Sequence, residues 1–434
     1  MKEMISMEDR IYGLSLLWRE AEYNFAYWDE LPEVDWNARY LEYLPKVMNA
    51  KDPLHYYAEL KEFMAVLKDG HTYVIIPEEL KPPYRYNFGT TYAEGKHLLW
   101  GRPKSSDLPF FSRILSVNGI PVEEYVDKYI YPYIWHENPE AKFAYSMLGY
   151  VIGCCERNGV RLETENGSLT LKEEDQEEEA YPPHINHPYL KEAQIVRNEF
   201  GFEVSILCQD IAYIRVDTFA SEEVAEKVLQ AVEKCGSCKG FIVDVRENDG
   251  GSSEHGRALA ELFFEEKVPD PPSKSPVSIA EYRAYGQYLD LDQLKLTDPW
   301  EKKIHDICRH QYYYEEEKKS SVTFRQPVVV LAGPRTASAA EDFLTRMKYQ
   351  NRAVLMGQKS MGTNGQPFMG RLPGGGSFGI CTQKCYLYDG TSYNNVGIAP
   401  DIYVENTIED LRNGFDKVLD TAIRYLSAAV PSSI

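Results

Sequence analysis

Hydrophobic side chains near the start of the chain recur at the spacing of an amphipathic helix. One face of a 3.6-residue period collects Ile11, Leu14, Trp18, Ala21 and Phe25. Ser6 stands where it would cap the first turn of this helix. The pattern therefore predicts a helical start to the chain.

A second helix is predicted to begin at Asp52, which caps it, and at Pro53, which suits a first helical turn. It is expected to end at Asp69 and Gly70, because glycine readily adopts the left-handed conformation that closes many helices. The apolar run 73–76 then predicts a strand, which a following proline ends.

The middle of the chain changes to short strands separated by turns. Segment 112–122 predicts a strand, a turn at Asn118 and Gly119, and a second short strand. Segment 167–171 predicts a further strand. An acidic run over 173–179 then interrupts the pattern, and we interpret it as a solvated linker.

The C-terminal part alternates buried strands with helices. Strands are predicted over 211–216, 241–245 and 328–332, and each is followed by a segment with helical spacing of apolar residues. Such alternation is typical of a parallel sheet covered by helices. The predicted fold class is therefore α/β.

Charge and composition exclude several classes of function. The chain of 434 residues carries 47 Lys and Arg against 67 Asp and Glu, a formal net charge of −20. A nucleic-acid partner or an anionic membrane surface would require a basic face, so we expect neither. No apolar run approaches the roughly 20 residues of a membrane span. The N-terminal residues lack a signal-peptide pattern, which predicts a cytoplasmic protein, with a trimmed exported protein as the alternative.

Ser338 is the first candidate for chemistry. It follows a buried strand, stands at the start of a predicted helix, and has only small neighbours in Thr336-Ala-Ser-Ala-Ala-Glu341. The N–H of Ala339 beside it has no acceptor within the helix and could stabilise an oxyanion. The alternative is a simple helix cap, since serine is a favoured capping residue.

Two further segments, each next to a predicted strand, also carry candidate residues. In Arg246-Glu-Asn-Asp-Gly-Gly251, Gly250 and Gly251 let the backbone pass close to a ligand and offer N–H donors, although a tight structural turn gives the same pattern. His71 lies in a sharply turned segment between a helix and a strand, where a structural histidine is the alternative to a base.

Taken together, these segments resemble the tail-specific, or C-terminal-processing, serine peptidases and the tricorn core protease. The resemblance rests on five segments in order along the chain. Three match the family's motifs: Asp-x-His-Thr at 69–72, Arg-x-Asn-x-Gly-Gly at 246–251 and Thr-x-Ser-Ala-x-Glu at 336–341. Two are similar to its motifs: 357–362 to Gly-x-x-Thr-x-Gly, and 397–401 to Gly-Val-x-Pro-Asp.

One departure concerns the base. The C-terminal-processing branch has a catalytic lysine directly after its Gly-x-x-Thr-x-Gly segment, where this chain has Thr363, whose hydroxyl is a poor proton acceptor. Lys359 lies inside the segment, at a position without a catalytic role in the family. The tricorn branch uses a histidine and a glutamate instead. By that resemblance His71 is the base for Ser338, and Glu405 is the best match for the glutamate that orients it.

The resemblance implies a helical N-terminal segment (1–78), a PDZ-like β-rich module (79–180) and a crotonase-like α/β serine peptidase domain (181–434). It implies peptide-bond hydrolysis through an acyl-enzyme, with Ala339 and Gly250 or Gly251 at the oxyanion and with neither a metal nor an organic cofactor. The expected partner is a peptide or an unfolded protein, and oligomerisation is left open. The alternatives are an inactive module of the same fold that binds an apolar ligand or a peptide, and a crotonase-like acyl-CoA enzyme. An imidazole base predicts that kcat/KM rises through an ionisation at roughly 6 to 7.5.

Overall fold

A computed structural model describes residues 5–80, 86, 88–133, 138–146, 159–172, 178–182, 193–199, 201–207, 210–234, 238–265, 268–275, 286, 289–309 and 324–429. Within these segments no helix is both long and apolar enough to cross a bilayer.

The helices, in chain order, are α1 (Met7–Asn24), α2 (Trp36–Met48), α3 (Pro53–Ala65), α4 (Val122–Tyr129), α5 (Pro139–Ser146), α6 (Val224–Lys234), α7 (Ser253–Glu261), α8 (Pro299–Cys308), α9 (Ala339–Lys348), α10 (Ile408–Arg412) and α11 (Lys417–Ala429). The strands are β1 (Tyr73–Ile75), β2 (Gly89–Ala93), β3 (Lys96–Pro103), β4 (Ser112–Val117), β5 (Ile120–Pro121), β6 (Val160–Thr164), β7 (Gly167–Leu171), β8 (Glu179–Ala180), β9 (Gln194–Glu199), β10 (Phe202–Ile206), β11 (Ile211–Val216), β12 (Gly240–Asp244), β13 (Ser273–Lys274), β14 (Val328–Ala332), β15 (Val354–Gly357), β16 (Pro367–Arg371), β17 (Ser377–Cys381), β18 (Lys384–Cys385) and β19 (Ile402–Tyr403).

The chain forms two compact units. Unit 1 comprises residues 1–80, 269–317 and 363–394, and unit 2 comprises residues 81–268, 318–362 and 395–434. Each unit is assembled from segments that are far apart in the sequence. The boundaries 78 and 180 inferred from the sequence stay predictions.

Unit 1 packs its N-terminal helices around an aromatic core. Trp36 of α2 stacks on Phe63 of α3 with ring centroids 4.5 Å apart, and Phe378 of β17 is buried in the same cluster. A three-stranded antiparallel sheet in the order β1-β17-β16 completes this part of the unit. Burial of these large rings supplies the driving force for the unit.

The helix predictions for unit 1 are confirmed in outline, with differences at the ends. Ser6 caps α1 by accepting a hydrogen bond from the backbone N–H of Asp9 at 3.0 Å, and Asp52 caps α3. However, α3 ends at Ala65, and the positive φ of +50° falls on Lys68 rather than on Gly70. The sequence pattern also misses α2, whose interior holds Pro45.

Unit 2 contains the predicted parallel sheet. Its order is β19-β15-β14-β12-β11-β10-β9; the pairs from β19 to β11 are parallel, and β10 and β9 are added antiparallel. The strands β12 and β14 are buried at every residue, as expected for strands covered on both faces. The predicted α/β fold class is confirmed.

A second sheet in unit 2 follows the order β2-β3-β4-β6-β7, with β5 paired to β4 and β8 to β3. The predicted turn at Asn118 and Gly119 joins β4 to β5, and both residues have positive φ. This sheet and α4 enclose a core of their own. Residues 173–177 of the acidic run, which we interpreted as a linker, lie outside the described residues. Its last residue, Glu179, belongs to β8.

Candidate active site

Two loops that follow neighbouring parallel strands carry most of the candidate residues of unit 2. The strands β12 and β14 pair in parallel, with Asp244 opposite Leu331 near their ends. The segment 246–251 follows β12, and the loop that leads to Ser338 follows β14. Because the carboxyl ends of parallel strands share one edge of the sheet, both loops lie at that edge.

Ser338 has an unusual backbone for a residue that precedes a helix. Its φ of 55° and ψ of −124° lie in a region that L-residues rarely adopt, and its side chain makes no capping hydrogen bond to α9. A strained non-glycine residue of this kind costs about 1–3 kcal/mol and is typical of functional sites. The geometry therefore argues against the helix-cap alternative. Ala339 is the first residue of α9, so its N–H lies beyond the reach of the intrahelical acceptors.

Gly250 packs directly against the candidate nucleophile. A Cβ added to Gly250 would lie 2.6 Å from Cβ of Ser338 and 3.1 Å from its Oγ, and the φ of Gly250 is +108°. Gly251 faces another way, since a Cβ there would lie 2.4 Å from the backbone carbon of Phe219. Only glycine fits at either position. At Gly251 the tight structural turn considered above is sufficient to explain why glycine is needed.

Asn248 connects these two loops from a fully buried position. Its side-chain Nδ2 donates to the carbonyl of Val216 at 3.0 Å, and its Oδ1 accepts from the N–H of Gly250 at 2.9 Å. Its own carbonyl accepts from the N–H of Ala337 at 2.9 Å. The side chain of Asn248 thus fixes the glycine segment (246–251), and the backbone of Asn248 fixes the residue before Ser338. Sequence reasoning passed over Asn248, although the Arg-x-Asn-x-Gly-Gly pattern contains it.

Arg246 anchors the start of the same segment. Its guanidinium donates to both carboxylate oxygens of Asp244 and to both of Asp416, at 2.7–3.0 Å. Although burial opposes its charge, these two carboxylates raise the pKa of Arg246 above its usual value. Asp416 in turn accepts from N–H groups at the start of α11. The network ties the candidate loop to the C-terminal helix.

Glu341 is buried in the first turn of α9. Its Oε1 accepts hydrogen bonds from the Ser360 hydroxyl and from the N–H of Gly362, the latter at 2.7 Å. Ser360 Oγ also accepts from the N–H of Ile398 at 2.7 Å. The glutamate of the Thr-x-Ser-Ala-x-Glu segment therefore holds the turn that contains Ser360 and Gly362.

His71 lies in unit 1, two residues after the buried Asp69. Oδ1 of Asp69 accepts from the His71 backbone N–H at 3.0 Å and from the Thr72 hydroxyl at 2.9 Å. Burial lowers the pKa of His71 to about 4, below the range expected from the sequence. Burial also raises the pKa of Asp69 to about 7, although its hydrogen bonds with Thr72 and His71 oppose this.

The imidazole contacts the residue that stands at the position of the family's lysine. His71 Nδ1 lies 3.0 Å from the hydroxyl oxygen of Thr363, within unit 1. Thr363 is 4% exposed. Sequence reasoning assigned this threonine no part in catalysis, and no signal in a single sequence would have paired residues this far apart.

The remaining candidates lie in unit 2. Glu405 is partly exposed, and its Oε2 accepts from Gln358 Nε2 at 3.1 Å. Lys359 is partly exposed as well. Among the residues that the structure describes, no group of three or more His, Cys, Asp and Glu side chains is arranged to hold a metal ion.

Comparison with known proteins gives a family match in this part of the chain. The family described as "Peptidase family S41" matches residues 210–404. This range contains the glycine segment, Ser338 and the two later motifs, and it ends one residue before Glu405. His71 lies outside it.

Relatives with curated descriptions are C-terminal-processing proteases. The carboxy-terminal-processing protease of Bartonella bacilliformis is 24% identical over 215 residues, which cover 48% of this chain and 42% of the relative. The carboxyl-terminal-processing peptidase 2 of Arabidopsis thaliana chloroplasts is 23% identical over 193 residues, 44% of this chain and 31% of the relative. The chain thus spans less than half the length of these relatives.

Solved structures share the fold over nearly the whole chain. Mature CPAF superposes with a TM-score of 0.70 at 15% identity, over 99% of both chains. The tricorn protease gives a TM-score of 0.52 at 15% identity, over 98% of this chain and 37% of tricorn. The photosystem II D1 C-terminal processing protease gives 0.51 at 16%, over 96% and 97%. Residues 210–404 thus match the family described as "Peptidase family S41", and these solved structures share the fold of nearly the whole chain.

Proposed function

We propose that this chain is a serine endopeptidase that hydrolyses peptide bonds through an acyl-enzyme. The observation that carries the proposal is the backbone of Ser338, which is strained, does not cap its helix and lies against Gly250. A serine that acts as a helix cap would adopt ordinary dihedral angles and bond to the first turn. Strain retained beside a close-approach glycine is what an exposed nucleophile requires.

In this proposal His71 Nε2 accepts the hydroxyl proton of Ser338 while Oγ forms a bond to the scissile carbonyl carbon. The imidazolium then donates that proton to the amide nitrogen as the C–N bond breaks, which releases the amine and leaves an acyl-serine. A water molecule next attacks the ester and gives one proton to His71. Ser338 recovers its proton from His71 when the ester bond breaks. The scheme requires His71 Nε2 to reach Ser338 Oγ, and it assigns stabilisation of the imidazolium to Glu405.

The negative charge on the tetrahedral oxygen is stabilised by two backbone N–H groups. Ala339 supplies one of them from the start of α9. Between the two glycines we favour Gly251, since the N–H of Gly250 already donates to Asn248. Loss of one such donor typically lowers the rate by about 10²–10³.

The substrate class follows from the relatives. Their names describe processing of carboxyl termini, and we propose that this chain likewise acts on peptides or on C-terminal regions of proteins. The net charge of −20 is consistent with a protein partner and disfavours nucleic acid.

A fluorophosphonate probe tests the proposal, because it forms a covalent bond only with an activated serine. We expect mass spectrometry to find the label on Ser338, Ser338→Ala to remain unlabelled, and His71→Ala to label far more slowly. Ser6 is the internal control, since it also precedes a helix but caps it in the ordinary way. An unlabelled wild-type protein that also fails to cleave casein would contradict the proposal and favour the inactive binding module.

A further inference from the structure

The hydroxyl of Thr363 is a hydrogen-bond partner of the candidate base. Its Oγ1 lies 3.0 Å from His71 Nδ1. Because Nδ1 and Nε2 are the two nitrogens of one ring, whatever bonds to Nδ1 decides which nitrogen carries the proton. Thr363 is therefore placed to choose the tautomer of His71.

The chemistry permits two arrangements of this pair. Either Nδ1–H donates to Thr363 and Nε2 keeps its lone pair, or the hydroxyl donates to Nδ1 and Nε2 carries the hydrogen. Only the first arrangement lets Nε2 accept a proton from a nucleophile. A neutral imidazole has a single N–H, so the two arrangements exclude each other.

The surroundings of the pair hold both residues in place. The N–H of Cys381, at the end of β17, donates to the Thr72 hydroxyl at 3.1 Å, directly after His71. The Sγ of Cys381 contacts the Asn364 carbonyl, directly after Thr363, at 3.6 Å. Asn364 Nδ2 also donates to the Tyr393 hydroxyl at 2.7 Å. The end of β17 thus fixes the distance between the histidine turn (69–72) and Thr363.

We propose that Thr363 is the positioning residue of the base: it accepts the Nδ1–H of His71 and so keeps Nε2 unprotonated. This inference rests on the proposed function, since it concerns how His71 serves as a base. Thr363 stands where the C-terminal-processing branch has its catalytic lysine, and in this proposal it orients the base and does not act as the base. It also makes Thr363, in place of Glu405, the residue that fixes the orientation of the imidazole.

Two variants of Thr363 separate the effect of the hydroxyl from that of the rest of the side chain. Thr363→Val keeps the branched shape and removes the hydroxyl, whereas Thr363→Ser keeps the hydroxyl and removes a methyl group. Thr382→Val is the matched control, since the Thr382 hydroxyl also makes a hydrogen bond in unit 1, to the carbonyl of Gln366 at 2.7 Å. The readout is the rate of fluorophosphonate labelling, separated into kinact and KI.

We expect Thr363→Val to lower kinact by about 10- to 100-fold with little change in KI, because a misplaced catalytic group typically loses up to about 10² in rate. Thr363→Ser should recover most of this loss, and Thr382→Val should label like the wild type. A serine variant as slow as the valine variant, or a loss that falls on KI, would overturn the inference.

Nuclear magnetic resonance of ¹⁵N-histidine-labelled protein supplies a readout that does not depend on rate. We expect the wild-type His71 ring to carry its proton on Nδ1, and Thr363→Val to lose that preference. An Nε2–H tautomer in the wild-type protein would overturn the inference, even if Thr363→Val fails to fold. Unchanged labelling in His71→Ala would instead contradict the proposed function, so the two failures are distinguishable.

Discussion

Ser6 and Ser338 each stand directly before a helix, and their backbone conformations differ. Ser6 precedes α1 with φ of −58° and accepts a hydrogen bond from the N–H of Asp9 at 3.0 Å. Ser338 precedes α9 with φ of 55° and makes no such bond. The same residue type at the same helix position thus satisfies the helix in one unit and stores backbone strain in the other.

The difference teaches that the surroundings, not the residue, select the role. Ser6 accepts its capping hydrogen bond from a residue of its own helix. The loop of Ser338 is fixed from several sides, by Asn248 at Ala337, by the Thr336 carbonyl at Met361, and by Gly250 packed against the serine itself. A strained conformation persists only where neighbours over-determine it. Substitutions at both serines and at their supports therefore test this contrast.

The largest effect is expected at Ser338. Ser338→Gly should abolish cleavage and labelling, yet it should raise the free energy of unfolding by about 1 kcal/mol, because glycine relieves strain of about 1–3 kcal/mol and loses part of this gain to backbone entropy. Ser6→Gly should leave the rate unchanged and lower stability by a few tenths of a kcal/mol. Urea unfolding together with probe labelling checks both. A Ser338→Gly protein less stable than Ser338→Ala would contradict the strain argument.

A smaller loss is expected when the support of the loop is removed. Asn248→Ala deletes the bonds to Val216 and to the N–H of Gly250 and leaves both groups buried, which should cost about 1–3 kcal/mol of stability for each unsatisfied group. The loop should also relax, so that kinact for the probe falls while Ser338 stays in the protein. A variant that loses stability but labels at the wild-type rate would show that Asn248 supports the fold alone.

The pKa values of His71 and Asp69 predict how kcat/KM and stability depend on pH. With the pKa of His71 near 4, kcat/KM should already have passed its His71 inflection at pH 6. Asp69 has a folded pKa of about 7 against the 3.8 that is ordinary for an aspartate side chain, so the folded protein binds more protons than the unfolded chain between these values. Its contribution to stability is therefore present below about pH 4 and is lost as pH rises to about 7.

Asp69→Asn removes this ionisation and keeps an oxygen acceptor for His71 and Thr72. Its stability relative to the wild type should therefore increase from pH 4 to pH 7, as measured by urea unfolding across that range. The His71 inflection near pH 4 should remain in the rate profile. A relative stability that does not change with pH would contradict the raised pKa of Asp69.

The smallest effect is expected at Lys359. Because the proposed base is His71, Lys359→Ala should change kcat/KM by less than about twofold, in keeping with the usual effect of surface substitutions. His71→Ala, measured beside it, should lose several orders of magnitude, because the members of a catalytic group act as a unit. An inactive Lys359→Ala with an active His71→Ala would contradict the choice of His71 and make Lys359 the base.

The sequence alone determined several elements whose pattern is local, although it missed α2. The period of α1, its cap at Ser6 and the apolar strand β14 follow from local spacing, since helices and strands expose their patterns every few residues. The ordered motifs, from Asp-x-His-Thr to Gly-Ile-Ala-Pro-Asp, were also sufficient to indicate the family. The exit of α3 was wrong in detail, because Lys68 rather than Gly70 takes the positive φ.

Only the tertiary structure decided what the candidate residues contact. The bond between His71 and Thr363 joins positions 292 residues apart, and the strain at Ser338 depends on a glycine from another loop. The burial that moves the pKa of His71 to about 4 is likewise a property of the folded chain. Such contacts leave no periodic trace in the sequence, because they are made by the packing of whole elements and not by the spacing of residues within one.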